Sequence, residues 1–412
     1  MGSDPKKIRV LFFAEAVTLA HVARPVALAR LLDPARYEIH LAAAPRYEAL
    51  FGPLPFHLHG LGSIAPESFA RRLREGRPIF DLPTLRGYAA EDLTLIERID
   101  PDLVIGDFRL SLAASAPAAG KPYLALVNAY WSPYARQRFT VPELPLTALI
   151  GVRASQAAFD LVRPWVFAWH SRPLNRLRRL YGLPELGPDL LRVYTQADQV
   201  LYPDLPDLVP TYGRPASHRY VGPLPWSPAG PPPEWWDRLP EDRPRLYLTL
   251  GSSGDARLLA HLVEELGGLP VTLMIATAGA RLRLPRLANV RVAEYLPGQA
   301  ACRRAELVIC NGGSPTAHQA LAAGVPVLGL PRNLDQYLNM SFLEQAGVGL
   351  ALRSDSLKAG QVRAAVSRLL GEPSFRAAAE AIRVKMAAFP TARAVEDALE
   401  EALGGGSTAF AR

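Results

Sequence analysis

The sequence is short of cysteine and of long apolar runs, and both shortages narrow the class of protein. Only two of the 412 residues are cysteines, Cys302 and Cys310. Neither a disulfide framework nor a zinc site with several thiolates can form from them, and a reducing cytoplasm is the expected compartment. No run approaches the roughly 20 apolar residues that a membrane-spanning helix needs. Residues 8–13 are apolar apart from Arg9 but too few for a signal sequence, and they are predicted to form a first strand.

Acidic residues are also outnumbered, 39 against 46 basic ones, which gives a net charge of +7. The basic residues are scattered and no basic stripe is interleaved with aromatic residues, so nucleic-acid binding is not expected. An anionic substrate or an anionic membrane surface accounts for the same excess. With 49% apolar and 21% charged residues, the composition is typical of a globular enzyme.

Both halves of the chain alternate short apolar runs with helical patterns. Unbroken apolar runs are typical of parallel strands that are covered on both faces. Two such arrays predict an α/β protein of two doubly wound domains, each binding ligands at the carboxyl ends of its strands. The predicted strands are residues 8–13, 38–43, 103–106, 123–127, 246–250, 271–276, 290–292, 307–309 and 327–329, and the predicted helices are residues 22–32, 85–99, 256–266, 316–323 and 338–346.

Composition also indicates where the domains divide. Residues 221–244 are crowded with proline and are predicted to be a linker. They would join an N-terminal domain, residues 1–220, to a C-terminal domain, residues 245–403, whose last helix could pack back on the first domain. Residues 404–412 are predicted to be a flexible tail.

The segment 146–180 breaks the strand–helix rhythm of the N-terminal half. It is predicted to be helical, and it ends in a basic stretch at residues 172–180. That stretch is either a solvated helix face or a contact for an acceptor or a membrane surface.

Two glycine-rich loops follow predicted strands of the second domain. Residues 307–324 read LVICNGGSPTAHQALAAG, where a buried strand turns through Gly312 and Gly313 into a helix from about Ser314. Glycine leaves the backbone N–H groups accessible, and a helix start offers unpaired donors and a partial positive charge to a phosphate. A tight turn with a serine cap is the alternative. The second loop, residues 251–254, favours a diphosphate over coincidence, and neither loop has an ATP-binding or dinucleotide-binding pattern.

Residues 288–349 resemble the donor-binding motif of the family 1 glycosyltransferases. The resemblance implies the GT-B fold, in which two Rossmann-like domains face each other across a cleft and the C-terminal domain holds most of a nucleotide sugar. The matching segments are Tyr295-Leu296-Pro297, Asn311-Gly312-Gly313, ALAAGVP at residues 320–326, and Asp335-Gln336 with Asn339.

The same resemblance implies roles for the donor-site residues. Tyr295 would flank the base while the Leu296 backbone reads its edge, and Gln319 stands where the family usually has a ribose-binding glutamate. Asp335 and Gln336 would grip sugar hydroxyls. The diphosphate would be held by Ser252, Gly313, Ser314 and Thr316, with Asn311 and Gly312 in the same turn.

Two positions depart from the family pattern. Asn311 stands where a histidine normally supports the diphosphate; asparagine can donate a hydrogen bond but carries no positive charge. The leaving group would then depend more on backbone donors and the helix start, or the donor preference would differ. Gly298 falls near a position where plant members carry glutamine.

Residues 20–25, AHVARP, resemble the Gly-His-x-x-Pro segment whose histidine is the general base of the family. Ala20 replaces the glycine and Pro25 comes one place late. Asp107, after the predicted strand 103–106, matches the aspartate that pairs with that histidine. Such a carboxylate fixes the tautomer of His21 and stabilises its imidazolium. A structural histidine and a turn-capping aspartate are the alternatives.

The resulting hypothesis is an inverting glycosyltransferase with His21 as base. It would move a hexose from a UDP- or dTDP-sugar to a hydroxyl of a small apolar or aromatic acceptor, with no resident cofactor and no metal. His57 and His59 alternate along an extended segment and receive no ligand role. Acceptor contacts are expected from loops at residues 60–90, 108–112 and 128–180, where the aromatic residues are Phe108, Tyr130, Trp131 and Tyr134.

Three alternatives stay open at this point. The first is a different enzyme on the same fold: the spacing of AGVP at residues 323–326 to Asp335-Gln336 argues against a UDP-N-acetylglucosamine 2-epimerase, whereas a lipid-linked N-acetylglucosaminyl transferase of wall synthesis stays possible. The second is a membrane-surface transferase acting on a lipid acceptor through residues 172–180. The third is a non-catalytic accessory protein that kept the fold. The sequence does not specify the acceptor, the sugar, the nucleotide or the oligomeric state.

Overall fold

A computed structural model describes residues 6–404, apart from residues 229, 252–253, 255–256 and 281. Two parallel sheets dominate it. The strands of the first are β1 (Ile8–Ala14), β2 (Tyr37–Ala43), β3 (His57–Gly60), β4 (Leu103–Asp107), β5 (Tyr123–Leu126), β6 (Gln199–Tyr202) and β7 (His218–Tyr220). Those of the second are β8 (Arg245–Thr249), β9 (Thr272–Ala276), β10 (Val290–Ala293), β11 (Leu307–Cys310), β12 (Val327–Gly329) and β13 (Gly349–Ala351).

Helices cover both faces of each sheet. Around the first sheet they are α1 (Ala20–Ala29), α2 (Pro66–Arg74), α3 (Leu82–Ile99), α4 (Leu112–Ala118), α5 (Pro145–Ile150), α6 (Val152–Leu180) and α7 (Leu190–Tyr194). After β8 come α8 (Leu258–Leu266), α9 (Gly298–Arg304), α10 (Ser314–Ala322), α11 (Leu334–Gln345), α12 (Gln361–Gly371), α13 (Pro373–Ala388) and α14 (Thr391–Gly404).

The first sheet has the order β3-β2-β1-β4-β5-β6-β7, with every pair parallel. Its central strand β1 is buried on both faces because side chains alternate along a strand. Val10 and Phe12 join the core on one face, and Leu11 and Phe13 join the core on the other. This two-sided burial explains the unbroken apolar run in the sequence.

The second sheet has the order β10-β9-β8-β11-β12-β13, again parallel throughout. The two sheets with their helices confirm the predicted fold class of two doubly wound Rossmann-like arrays. All nine predicted strands are present within one residue at each end. The short strands β3, β6, β7 and β13 were not predicted.

The helix α14 packs on the first sheet although it follows the whole second array. Val395, Ala398 and Leu399 are fully buried in the same core as Val10 and Phe12. Ion pairs extend the contact, including one of 2.8 Å between Arg36 and Glu400. The chain therefore passes between the two sheets twice, once through residues 221–244 and once before α14.

The segment that broke the predicted rhythm forms α5 and the 29-residue α6. Pro164 and Pro173 lie inside α6 without ending it. Among the described residues, no helix is both long enough and apolar enough to cross a membrane. Residues 405–412 of the predicted tail lie outside the described residues.

Candidate active site

A cavity of about 710 Å³ lies where the carboxyl ends of the two sheets face each other. The segments after β1, β4 and β5 line one side, and those after β8, β11 and β12 line the other. Ligands of doubly wound domains bind at this edge. Of the predicted site residues, Ser252 is outside the described part of the chain and Gly312 does not line the cavity. The residues that line the cavity are His21, Asp107, Tyr295, Leu296, Asn311, Gly313, Ser314, Thr316, Gln319, Asp335 and Gln336.

His21 is the second residue of α1, and its Nδ1 lies 2.7 Å from Oδ1 of Asp107. Asp107 is the last residue of β4 and is fully buried. When Nδ1 carries its proton toward Asp107, Nε2 holds the lone pair that a base needs. Within the described residues Nε2 makes no hydrogen bond. The predicted pair is therefore assembled, although it links residues 86 positions apart.

Arg24, which the sequence analysis did not single out, closes around the same carboxylate. Its Nε donates to Asp107 Oδ2 at 2.8 Å and its Nη2 to Oδ1 at 2.7 Å, a bidentate pair. Nη2 also lies 2.9 Å from His21 Nδ1. Burial disfavours the charge of this guanidinium, but attraction and hydrogen bonds from Asp107 outweigh burial and raise the pKa of Arg24. The sequence feature that could have indicated this role of Arg24 is its spacing, because Arg24 follows His21 by three residues on the same helix face.

Phe108 holds His21 from the other side. Its ring stacks on the imidazole, with centroids 4.6 Å apart and planes 11° from parallel. Its backbone has a φ of +58°, a left-handed conformation that bulky residues rarely adopt. Such strain concentrates at functional sites, where the surrounding structure holds it in place. Phe108 directly follows Asp107 in the chain, and this backbone conformation places its ring on His21.

The glycine turn before α10 has a specific geometry. Gly312 has a φ of +80°, and a Cβ added there would lie 2.7 Å from Cγ of Met340. Asn339 Nδ2 donates to the Gly312 carbonyl at 2.8 Å, which fixes the turn. Gly313 N–H donates to Oδ1 of Asn311 at 3.0 Å. Asn311 thus uses its amide oxygen to shape the turn, a bond that accounts for an asparagine at this position.

The start of α10 remains open to a ligand. Gly313 is its N-cap and supplies no side-chain hydrogen bond, so the predicted alternative of a serine cap is not what the described residues show. Pro315 has no N–H, which leaves the N–H groups of Ser314 and Thr316 and the hydroxyl of Thr316 as the donors of the first turn. Both residues line the cavity.

Asn128 connects this helix start to the histidine. Its Oδ1 accepts from Ser314 Oγ at 3.3 Å and from Nη1 of Arg24. Asn128 follows β5 of the first sheet, whereas Ser314 follows β11 of the second. The guanidinium of Arg24, paired with Asp107, therefore lies two hydrogen bonds from the start of α10 and lines the same cavity.

Tyr295, Leu296 and Gln319 all line the cavity. Leu296 is buried and Tyr295 is partly exposed. Gln319 Nε2 donates to the carbonyl of Trp226, in the linker. A Cβ added to Gly298 would lie 2.5 Å from Gln319 Oε1. Gln319 therefore occupies the space that a side chain at position 298 would need. This explains why glycine stands there, near the position where plant members of the family carry glutamine.

Asp335 and Gln336 begin α11 and have different surroundings. Oδ1 of Asp335 accepts from Nε1 of Trp131 at 2.8 Å, a contact between the two halves of the molecule. Gln336 is buried and forms a capping box with Asn333, whose side chain accepts from Gln336 N at 3.0 Å. Asp335 keeps a second carboxylate oxygen for a ligand, whereas the side-chain oxygen of Gln336 is engaged in capping.

The wall near His21 is aromatic. Phe69, Phe108, Trp131 and Tyr194 line it, together with the fully buried Tyr130. Phe108 and Trp131 each meet Tyr194 edge-on, with centroids 5.8 Å and 5.0 Å apart. The suggested aromatic lining is thus present, except for Tyr134.

Tyr134 instead packs on His218, with ring centroids 5.1 Å apart. It does not line the cavity.

A cluster of histidines on β2 and β3 lies away from the cavity. Glu38, His40 and His57 on β2 and β3 bring potential metal-ligand atoms within 4.8 Å of one another. His59, on the same edge strand, lies 2.9 Å from His40 Nδ1. The sequence alone offered His57 and His59 no partner, because β2 and β3 had not been paired.

Comparisons with known proteins agree with this fold. Residues 260–402 match the family model described as erythromycin biosynthesis protein CIII-like, C-terminal domain. A PGL/p-HBAD biosynthesis glycosyltransferase of Mycobacterium tuberculosis is 51% identical over 93% of this chain and 91% of its own. A PGL/p-HBAD biosynthesis rhamnosyltransferase of Mycobacterium bovis is 51% identical over 92% and 84%. The solved structure of a spinosyn rhamnosyltransferase, SpnG, complexed with thymidine diphosphate covers 95% of this chain and 100% of its own, with a TM-score of 0.70 and 23% identity.

Proposed function

Because the chain belongs to the family 1 glycosyltransferases of the GT-B fold and is a sugar transferase, we propose that it is an inverting enzyme with His21 as its base. The donor is a UDP- or dTDP-hexose, and the acceptor is a hydroxyl on a small apolar or aromatic molecule. The supporting observation is that the His21–Asp107 pair and the open start of α10 face each other across one cavity.

The proposed reaction is a single displacement. The acceptor hydroxyl gives its proton to Nε2 of His21, while the Nδ1 proton stays hydrogen-bonded to Asp107. The freed oxygen attacks the anomeric carbon from the face opposite the diphosphate, so a new C–O bond forms as the old one breaks. The bonding electrons leave with the nucleoside diphosphate, and the configuration at the anomeric carbon inverts.

The negative charge of the leaving diphosphate is stabilised from two sides of the cavity. The first turn of α10 offers the donors of Ser314 and Thr316 with the positive end of the helix dipole. Arg24 contributes a cation from the opposite wall, joined to Ser314 through Asn128. On this proposal Arg24 supports the diphosphate in place of the family histidine, whose position Asn311 occupies. The transfer then needs no metal.

The comparisons support two narrower choices of donor. SpnG, a transferase of this fold, has been solved in complex with thymidine diphosphate. The name of the Mycobacterium bovis relative makes rhamnose, a 6-deoxyhexose, a candidate sugar. A melting-temperature panel of UDP, dTDP and their sugars tests the donor, since a ligand that binds the folded state raises the melting temperature.

The base is tested by the His21→Ala variant. General-base catalysis contributes about 10²–10⁴-fold to a rate, so kcat for transfer should fall by that factor while nucleotide binding is unchanged. NMR of the product gives its anomeric configuration. The matched control is His261→Ala on α8, an exposed histidine outside the cavity. Intact transfer by His21→Ala, or a product that retains the donor configuration, contradicts the proposed mechanism.

A second candidate concerns the acceptor, which a membrane could carry. One observation favours it: the surface of α5 and α6 beside the cavity is both apolar and basic.

A further inference from the structure

The exposed apolar side chains of the molecule are concentrated on α5 and α6. Among the described residues, fourteen large apolar side chains are exposed, and eight of them lie between positions 146 and 180. We call this surface the α5–α6 face. It consists of Leu146, Leu149, Ile150, Leu161, Val162, Trp165, Trp169 and Leu180. Soluble monomers rarely expose contiguous apolar surface of this kind, and where they do it marks a binding surface.

The face is continuous because of helical spacing. Leu161, Trp165 and Trp169 are four residues apart and form one stripe along α6. Leu161 and Trp165 are 67% and 66% exposed, so the stripe is not covered by another element. Tryptophan is enriched where a protein meets the head-group layer of a bilayer, since its ring is apolar and its N–H is polar.

The rim of the face is positively charged. Of the six arginines of α6, Arg178 is buried, Arg163 pairs with Asp160 at 3.8 Å and Arg179 pairs with Glu185 at 2.8 Å. Arg172 and Arg176 continue the stripe, are exposed, and have no acidic partner among the described residues. An apolar strip beside unpaired cations complements an anionic lipid surface.

The cavity opens on this face. Leu146 and Val162 belong to the face and also line the cavity, so they stand at its mouth. On the other side of the mouth, α2 turns Phe69 and Leu73 inward while Arg71 and Arg74 stay exposed.

The path inward from the mouth is aromatic. Phe69 meets Phe108 edge-on at 6.3 Å, and Phe108 stacks on His21. An apolar route therefore runs from the mouth to the base.

We propose that the α5–α6 face binds the surface of an anionic phospholipid bilayer. The acceptor is then an amphiphile whose hydroxylated end enters the cavity while its apolar tail stays at the membrane. This inference rests on the proposed function for the cavity and adds the membrane as a partner and an amphiphile as the acceptor class.

Vesicle co-sedimentation tests the surface. The full chain should bind vesicles that contain phosphatidylglycerol and not vesicles of phosphatidylcholine alone, and binding should weaken as salt screens the arginines. The Trp165→Ser/Trp169→Ser variant and the Arg172→Gln/Arg176→Gln variant should each lower the bound fraction at least about tenfold. The matched control is Val384→Ser/Arg376→Gln on α13, which removes one exposed apolar and one exposed basic side chain elsewhere.

Transfer assays separate this inference from the proposed function. With a UDP- or dTDP-sugar that the protein turns over, face variants should use dissolved 4-ethylphenol as well as wild type does, because their altered side chains do not line the cavity. They should lose at least about tenfold of the rate toward 4-pentadecylphenol in anionic vesicles. A wild type that binds vesicles but transfers to neither phenol points against the proposed function instead.

Three results overturn the inference. The first is wild-type protein that does not sediment with anionic vesicles. The second is face variants that bind vesicles like wild type. The third is a mass in solution that doubles with concentration and returns to one chain in the tryptophan variant without any vesicle binding, because a second copy would then cover the face.

Discussion

At the scale of single residues, Asp107 serves two partners with one buried carboxylate. His21 and Arg24 both approach it within 2.8 Å, and the three side chains form one network. Members of such a network do not contribute independently, because removing one changes the charge felt by the others. Arg24 is therefore both a support for the base and, on our proposal, a charge for the leaving group.

Paired substitutions separate these two roles of Arg24. Arg24→Gln leaves Asp107 as a buried charge short of its cation, which costs about 3–5 kcal/mol of unfolding free energy. Arg24→Gln/Asp107→Asn removes both charges and should recover most of that loss in denaturant unfolding. Its kcat should lie below that of Asp107→Asn alone, because both variants lack the carboxylate that orients His21 and only the double variant also lacks the cation near the diphosphate. A double variant with the same kcat as Asp107→Asn shows that Arg24 acts only on stability.

The buried side chain of His218 should make the free energy of unfolding depend on pH. Burial, followed by repulsion from Arg214, lowers the pKa of His218 to about 4, whereas an unfolded histidine has a pKa of about 6.5. As pH falls below about 6.5, the unfolded chain binds a proton that the folded chain does not, so the free energy of unfolding decreases until about pH 4.

Melting temperatures of wild type and His218→Gln between pH 7.5 and 4.5 test this origin of acid sensitivity. Glutamine keeps a partner for the hydroxyl of Tyr202, which lies 2.5 Å from His218 Nδ1. The variant should lose less melting temperature on acidification than wild type. His261→Gln, at an exposed histidine, should follow the wild-type curve. Identical slopes in all three proteins assign the acid sensitivity to other groups.

The residue scale is also where sequence analysis reached its limit. His21 and Asp107 were predicted as a pair from a resemblance, and they do lie within hydrogen-bond distance. Arg24 and Asn128 carry no pattern of their own, since their importance comes from contacts across 83 and 104 residues. A lone arginine on a helix has many uses, and only the folded chain shows which carboxylate it meets.

At the scale of secondary structure, the turn between β11 and α10 depends on glycine for two reasons. Gly312 has a left-handed backbone, and it also touches Met340. Gly360 offers a matched comparison: its φ is +77° and a Cβ there would meet nothing within 4 Å. The two positions thus share the backbone strain and differ in the space around them.

Alanine at these two glycines should give different losses. Gly360→Ala should cost about 1–2 kcal/mol for the left-handed backbone alone. Gly312→Ala should cost a further about 1–3 kcal/mol because Met340 must move. Denaturant unfolding measures both, and nucleotide-induced stabilisation should disappear only in Gly312→Ala. Equal losses in the two variants contradict the role given to the Met340 contact.

Element prediction succeeded where both faces of a strand are buried. The core strands β1, β4 and β11 read as largely apolar runs because helices cover the sheets on both sides. The edge strand β3 reads HLHG and is mostly exposed, so neither an apolar run nor a buried alternation marks it. It exists because β2 supplies hydrogen-bond partners, and that information lies elsewhere in the chain.

At the scale of the whole molecule, the two halves are joined by more than the linker. Oε2 of Glu143 lies 2.5 Å from Nε of Arg332, and Trp131 donates to Asp335 across the cleft. A donor sugar that binds Asp335 must share its carboxylate with Trp131. The position of α14 adds a further connection, because this helix completes the core of the first sheet.

Shortening a side chain of α14 should therefore destabilise the first sheet. Leu399 is fully buried, and Leu399→Ala should cost about 2–5 kcal/mol. Hydrogen exchange should accelerate in β1 and β4 before it does in β8 and β11. Val384→Ala, at a side chain that is 54% exposed on α13, is the control and should change neither. Faster exchange confined to the second sheet contradicts this assignment.

The position of α14 also affects how the protein forms during synthesis. Ribosomes add about 5–20 residues per second, and domains generally fold as they emerge. All seven strands of the first sheet are made by Tyr220, yet α14 begins only at Thr391. For about 10–30 s, at that rate of synthesis, the nascent chain exposes the apolar surface around Val10 and Phe12. We therefore expect a chaperone to bind the ribosome-bound intermediate until α14 has been made and covers this surface.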